Sequence, residues 1–165
     1  VDLGAAPGGW TQVALRKMGE KGHVVAFDLL PMDSIPGAVI LQGDFQDEDA
    51  PARVEAELQG RPDLVLSDMA PNTTGHANTD HLRIMALAES AAYFAFDVLA
   101  PGGTFVCKVF QGGTEKDLLE VLKKSFTVVR HVKPPASRSD SAELYVVASG
   151  FRGRPGDHDR DDMAR

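Results

Sequence analysis

The chain has 165 residues, 43% of them hydrophobic, and its 17 basic and 24 acidic side chains give a net charge of −7. That length fits one domain with a buried core, and no apolar run is long enough to span a bilayer. Net acidity argues weakly against a nucleic-acid partner. The one cysteine, Cys107, sits in an apolar run and reads as a reduced core thiol.

With no cationic, apolar leader, the chain is expected in the cytoplasm. Residues 1–152 are expected to form the domain, and 153–165 a polar, disordered tail: the last nine residues hold four aspartates. The chain opens in mid-strand, so a further segment is expected upstream.

Val1-Asp2-Leu3 reads as the end of a buried strand, Gly4 to Gly9 as a glycine-rich turn, and 11–18 as a helix. Strand, tight glycine turn and helix make the opening unit of a Rossmann-like sheet. The dinucleotide fingerprint G-x-G-x-x-G would need glycine where Ala6 stands, and Pro7 removes an amide that a pyrophosphate would use. The turn is therefore either structural or built for a nucleoside ligand without a pyrophosphate.

Apolar runs then alternate with amphipathic segments, the pattern of βαβ units around a parallel sheet. Strands are predicted at 24–28, 38–41, 64–68 and 104–110, and a polar helix at 50–58. The clearest helix is 80–99, where Ile84, Leu87, Ala91, Phe94 and Val98 recur on one face. Thr114 to Asp117 resembles a capping box opening a helix through Leu118, Leu119 and Leu122. The last strands, 126–132 and 143–148, are joined by ten residues, too few for a helical crossover, so this pair is predicted antiparallel. The fold class is α/β: a Rossmann-like, mostly parallel sheet of class I methyltransferase type, with one antiparallel strand and helices on both faces.

Asp28 ends the second strand nineteen residues past Gly9, where an acid accepts hydrogen bonds from ribose hydroxyls. Asp44 follows the third strand, placed to accept from an adenine amino group. Each alone reads as readily as a turn or capping aspartate. With the turn at Gly4 and Gly8 they outline a pocket for an adenosine-containing cofactor. Trp10 either lines that pocket or packs on the sheet.

Asp68, Lys108 and Glu143 form a second set. Asp68 ends a strand, Lys108 interrupts an apolar strand at the cost of burying a charge, and Glu143 begins the antiparallel one. Parallel strands present ligands at their carboxyl edge, and an antiparallel strand begins there, so the three charges are predicted to meet. They make either a buried structural ion pair or a catalytic group. An ordinary lysine titrates near about 10.4; a nearby cation or desolvation lowers that and lets it take a proton from a hydroxyl.

The ordered set Asp2-Leu3-Gly4-Ala5-Ala6-Pro7-Gly8-Gly9-Trp10, Asp28-Leu29-Leu30-Pro31, Gln42-Gly43-Asp44-Phe45, Ser67-Asp68-Met69-Ala70-Pro71-Asn72, Pro101-Gly102-Gly103 and Lys108-Val109-Phe110-Gln111-Gly112 continues to Glu143 and Tyr145. Nearly end to end, it resembles the bacterial 23S ribosomal RNA 2′-O-ribose methyltransferases, the FtsJ-like (RrmJ, RlmE-type) family. The resemblance implies S-adenosylmethionine as cofactor, held by Gly4, Gly8, Trp10, Asp28, Asp44 and Asp68. It also implies a Lys-Asp-Lys-Glu tetrad, of which Asp68, Lys108 and Glu143 are here and the first lysine is expected upstream. The implied substrate is a uridine of 23S RNA in the large (50S) subunit, methylated by a monomer that uses neither metal nor membrane. Lys123, Lys124, Arg130, His131, Lys133 and Arg138 are candidates for a phosphate-binding strip or for a plain solvated face.

Four other readings compete. A nicotinamide dehydrogenase is disfavoured by Ala6. A base N-methyltransferase is disfavoured by Asp68-Met69-Ala70-Pro71, where an Asn/Asp-Pro-Pro-aromatic run is expected. A non-catalytic module binding cofactor and RNA stands against the enzyme, as does a 2′-O-methyltransferase of transfer RNA or an mRNA cap.

Overall fold

The structure, a computed structural model, describes residues 1–72, 74–111, 115–134 and 143–157. The apolar runs become β1 (Asp2–Leu3), β2 (Val24–Asp28), β3 (Ala38–Gln42), β4 (Leu64–Ser67), β5 (Thr104–Phe110), β6 (Phe126–Val132) and β7 (Glu143–Phe151). Between them lie α1 (Gly9–Met18), α2 (Ala50–Ala56), α3 (Ala77–Val98) and α4 (Glu115–Ser125). The strands form one sheet in the order β3-β2-β1-β4-β5-β7-β6, parallel except for β7, which runs against both β5 and β6. The predicted α/β class and antiparallel last strand are both observed.

Right-handed crossovers place α1, which leads leftward from β1 to β2, on one face, and α2, α3 and α4 on the other. The alternation along β5 follows from this. Phe105, Cys107 and Val109 are buried with α3 and α4, whereas Val106 and Lys108 are half-buried on the α1 face. Burial pushes the Cys107 thiol up to about 12, as suits a packing residue rather than a nucleophile. An aromatic chain, Phe27 on Phe45 and Phe45 on Phe94, ties β2 to α3 through edge-to-face contacts at 5.6 Å.

Several element bounds differ from the prediction, three of them for local reasons. Helix α3 starts three residues early because Asp80 acts from inside the first turn. Its Oδ1 accepts from the Thr74 N–H and hydroxyl, both at 2.8 Å, so the loop after β4 is pinned to the helix. Helix α2 ends at Ala56, where the Glu57 and Leu58 amides turn to carbonyls three residues back, tightening the chain ahead of Gly60. Strand β7 runs on to Phe151, whose N–H donates to Gly103 O at 3.0 Å. Thr114 of the expected capping box, Arg138, and residues 158–165 of the expected tail lie outside the described residues. Among the described residues no helix is long and apolar enough to cross a membrane.

Candidate active site

Register builds the site. Leu3 of β1 lies beside Phe27 of β2 and Ser67 of β4; one residue further, Gly4 falls between Asp28 and Asp68. Ser67 lies beside Cys107, so Asp68 falls beside Lys108, and Lys108 pairs across β5 and β7 with Tyr145. Asp28, Gly4, Asp68, Lys108 and Tyr145 are thus one row across five strands, on the edge where open α/β sheets bind ligands.

The side chains close that row. Lys108 Nζ is 2.9 Å from Asp68 Oδ1, with the lysine side chain 12% exposed and the aspartate 30%. The Tyr145 hydroxyl donates to the same Asp68 oxygen at 2.8 Å. Burial first, then the hydrogen bond and charge of Asp68 and the charge of Glu143, push the Tyr145 hydroxyl well above the usual tyrosine range. Glu143 pairs in register with Phe110, two positions along β7 from Tyr145, and its field reaches that hydroxyl. Trp10, in the first turn of α1, meets the Tyr145 ring at 5.3 Å.

Asp28 receives the Ala6 N–H on Oδ2 and the Leu30 N–H on Oδ1, both at 2.8 Å. One carboxylate therefore fixes both the glycine turn and the loop after β2, and keeps lone pairs for a further donor. Asp44 is exposed and takes the Gln46 N–H at 2.9 Å, an Asx turn that aims its other oxygen outward.

Gly4 has φ +74°, and a Cβ there would lie 2.7 Å from Met69 N, so the turns after β1 and β4 touch backbone to backbone. Gly8, at φ +117°, would drive a Cβ to 2.7 Å from Ile35 Cδ1. Beneath the row, the buried Asp2 accepts the Thr11 hydroxyl at 2.6 Å, tying α1 to β1; burial raises its carboxyl above the usual range.

A cavity of about 460 Å³ opens between these turns, lined by Gly4, Asp28, Asp44, Asp68, Met69 and Arg83 among others. The volume suits a nucleoside-sized ligand. Its ionisable lining is three carboxylates against one arginine, which disfavours a pyrophosphate and favours a cationic, hydroxyl-bearing ligand. A larger cavity of about 740 Å³, between Arg61, Asp97 and Arg152, lies at the opposite edge of the sheet, where the strands begin. Register and the open α/β rule favour the smaller one.

The structure therefore brings Gly4, Asp28, Asp44 and Asp68 to one cavity. Lys108 joins it through Asp68, Trp10 and Glu143 reach it through Tyr145, and Gly8 is not among its lining residues. Among the described residues, the cations of the expected strip fall in separate places. Lys123 and Lys124 end α4 at one end of β6, while the exposed Arg130 and His131 near the other end alternate between sheet faces. Sequence reasoning gave Tyr145 no role beyond the resemblance. Its signal was the strand pairing, which sets it opposite Lys108. Among the described residues no group of three His, Cys, Asp or Glu side chains is arranged to hold a metal.

Known proteins carry the same fold and sequence. The FtsJ-like methyltransferase family profile matches residues 1–151. Ribosomal RNA large subunit methyltransferase E of Granulibacter bethesdensis is 64% identical over 152 residues, covering 92% of this chain; the chain spans 65% of that relative's length. A crystal structure from Plasmodium falciparum, described as a ribosomal RNA methyltransferase, is 29% identical with a TM-score of 0.81, covering 93% of this chain and 86% of that one. Human methyltransferase-like protein 13 in complex with SAH shares the fold at 14% identity, with a TM-score of 0.63 over 99% of this chain and 77% of that one. Sheet order, glycine turn and family match agree: the chain belongs to the FtsJ-like methyltransferases.

Proposed function

We propose that this chain is the catalytic domain of an S-adenosylmethionine-dependent methyltransferase. Its substrate is the 2′-hydroxyl of a uridine in 23S ribosomal RNA of the large subunit, in the cytoplasm. The observation that carries this reading is the shared Asp68 oxygen, which holds Lys108 Nζ at 2.9 Å and the Tyr145 hydroxyl at 2.8 Å at the mouth of the acidic cavity. The 64% identical relative is named for methylation of large-subunit ribosomal RNA, which supports the substrate class.

The residues present fit the cofactor. Asp28 would accept the ribose hydroxyls and Asp44 the adenine amino group, and the missing side chain at Gly4 lets the turns after β1 and β4 close against each other. When bound, S-adenosylmethionine supplies a methyl group already activated on a positive sulfur. The protein's task is then alignment and proton acceptance. Lys108 aims its amine at the incoming 2′-oxygen, and Asp68 fixes the amine. Tyr145 holds Asp68 in turn, Trp10 packs on the Tyr145 ring, and the charge of Glu143 acts on the Tyr145 hydroxyl. The hydroxyl proton would pass to Lys108 Nζ, which accepts it as the neutral amine.

The test is methyl transfer by the full-length protein to large subunits purified from cells lacking this modification. Recovery of 2′-O-methyluridine from the digested RNA supports the reading. A methyl on a base nitrogen, or none, overturns it.

A further inference from the structure

Beyond the charged row lies a pair of rings that the proposed methyl transfer does not use. Phe110, the last residue of β5, stacks on His81 in the first turns of α3, with centroids 6.2 Å apart and planes at 28°. Both side chains are half-buried, so part of each ring faces solvent. Phe110 follows Lys108 by two residues, about 7 Å further along β5 at its carboxyl end. Its cross-strand neighbour is Glu143. The ring pair therefore stands past the amine at the carboxyl edge of the sheet, and Arg83, in the same turns of α3 as His81, lines the acidic cavity.

A half-exposed stacked pair at that place suits a flat, uncharged partner. A ribose held with its 2′-oxygen at Lys108 carries its base one sugar-width away, at about the spacing of Phe110 from Lys108. RNA enzymes and binders recognise unpaired bases by stacking them on aromatic side chains, histidine included. The described cations Lys123 and Lys124 stand at the other end of β6 from Arg130 and His131, and the chain is net acidic. Base stacking supplies binding energy that does not depend on phosphate contacts.

Resting on the proposed RNA 2′-O-methyltransferase function, we infer that His81 and Phe110 form the platform on which a nucleobase of the substrate RNA, that of the target nucleotide, stacks during methyl transfer. The α3 side of the platform is held by Asp80, which pins the preceding loop through Thr74. His81 and Phe110 thus set the KM for RNA and leave the cofactor untouched.

The experiment measures steady-state methyl transfer to undermethylated large subunits by the full-length protein, with S-adenosylhomocysteine affinity measured in parallel. His81→Ala and Phe110→Leu are each expected to raise the KM for the subunit by about 5- to 100-fold, with cofactor affinity unchanged. His81→Phe keeps a flat ring and is expected within about twofold of wild type. An unchanged KM in His81→Ala overturns the platform. So does a His81→Phe variant as impaired as His81→Ala, since that marks a polar contact rather than a stack. A loss of cofactor affinity in both ring variants overturns it too. A wild-type protein that leaves the subunit unmethylated refutes the function and the platform together, whereas an active wild type with unaffected variants refutes the platform alone.

Discussion

Tyr145→Phe isolates the hydroxyl that steadies Asp68. The substitution removes one oxygen and keeps the ring, so the 5.3 Å contact with Trp10 and the packing on β5 persist. What disappears is the 2.8 Å bond to Asp68 Oδ1, leaving Lys108 as the described hydrogen-bonding partner of that carboxylate. A hydrogen bond to a charged acceptor contributes about 1.5–3 kcal/mol. Asp68 is 30% exposed, so water replaces part of this and the lower end applies. If the bond serves to orient the carboxylate, and through it the amine, the loss appears in the chemical step. About 1.4 kcal/mol corresponds to a tenfold fall in rate. Single-turnover methyl transfer, with cofactor affinity and thermal midpoint measured alongside, is expected to fall about tenfold with the other two little changed. A rate within twofold of wild type would refute the positioning role. A lowered thermal midpoint with full activity per folded molecule would show that the bond serves stability instead.

Lys108→Ala is expected to lower methyl transfer by about 10²–10⁴-fold while cofactor binding persists, measured by isotope transfer and calorimetry; a variant keeping a tenth of the activity contradicts the proton-acceptor role. Gly4→Ala forces a left-handed residue with a Cβ 2.7 Å from Met69 N. It is expected to cost about 2–5 kcal/mol of stability in denaturant titrations. Tyr145, whose hydroxyl is pushed upward in the folded protein, keeps its proton as pH passes about 10, where an unfolded tyrosine ionises. The stability linked to that proton is complete below about pH 10 and is lost as pH rises towards the folded value. Native wild type and Tyr145→Phe should therefore show equal tyrosinate absorbance at about pH 11, with the wild type higher only after unfolding.

The charged row was legible because charges at the ends of apolar runs have few structural uses. Asp28, Asp68 and Lys108 each follow or interrupt such a run, and parallel topology alone brings them to one edge. The antiparallel last strand was legible from the short connection before Glu143. Tyr145 was not, because a tyrosine in an apolar strand looks like packing. Only the β5–β7 register sets it opposite Lys108, and that register is fixed by contacts far away in sequence. The His81–Phe110 stack was hidden for the same reason: a histidine early in a helix meets a strand-end phenylalanine only once α3 lies on the sheet. The start of α3 was missed because Asp80 looks like a cap and instead bonds backward from inside the first turn. A basic strip was suggested by the clustered cations, but position along β6 separates Lys123 and Lys124 from Arg130 and His131.

The central claim is that the cofactor's reactive sulfur faces Lys108 across the Asp68 row. A crystal structure of the full-length protein with S-adenosylhomocysteine tests it directly. The account predicts the ribose hydroxyls on Asp28, the adenine near Asp44, and the sulfur turned towards Lys108 Nζ with room for one oxygen between them. A ligand whose sulfur points away from Lys108, or one bound in the cavity between Arg61 and Arg152, would contradict it.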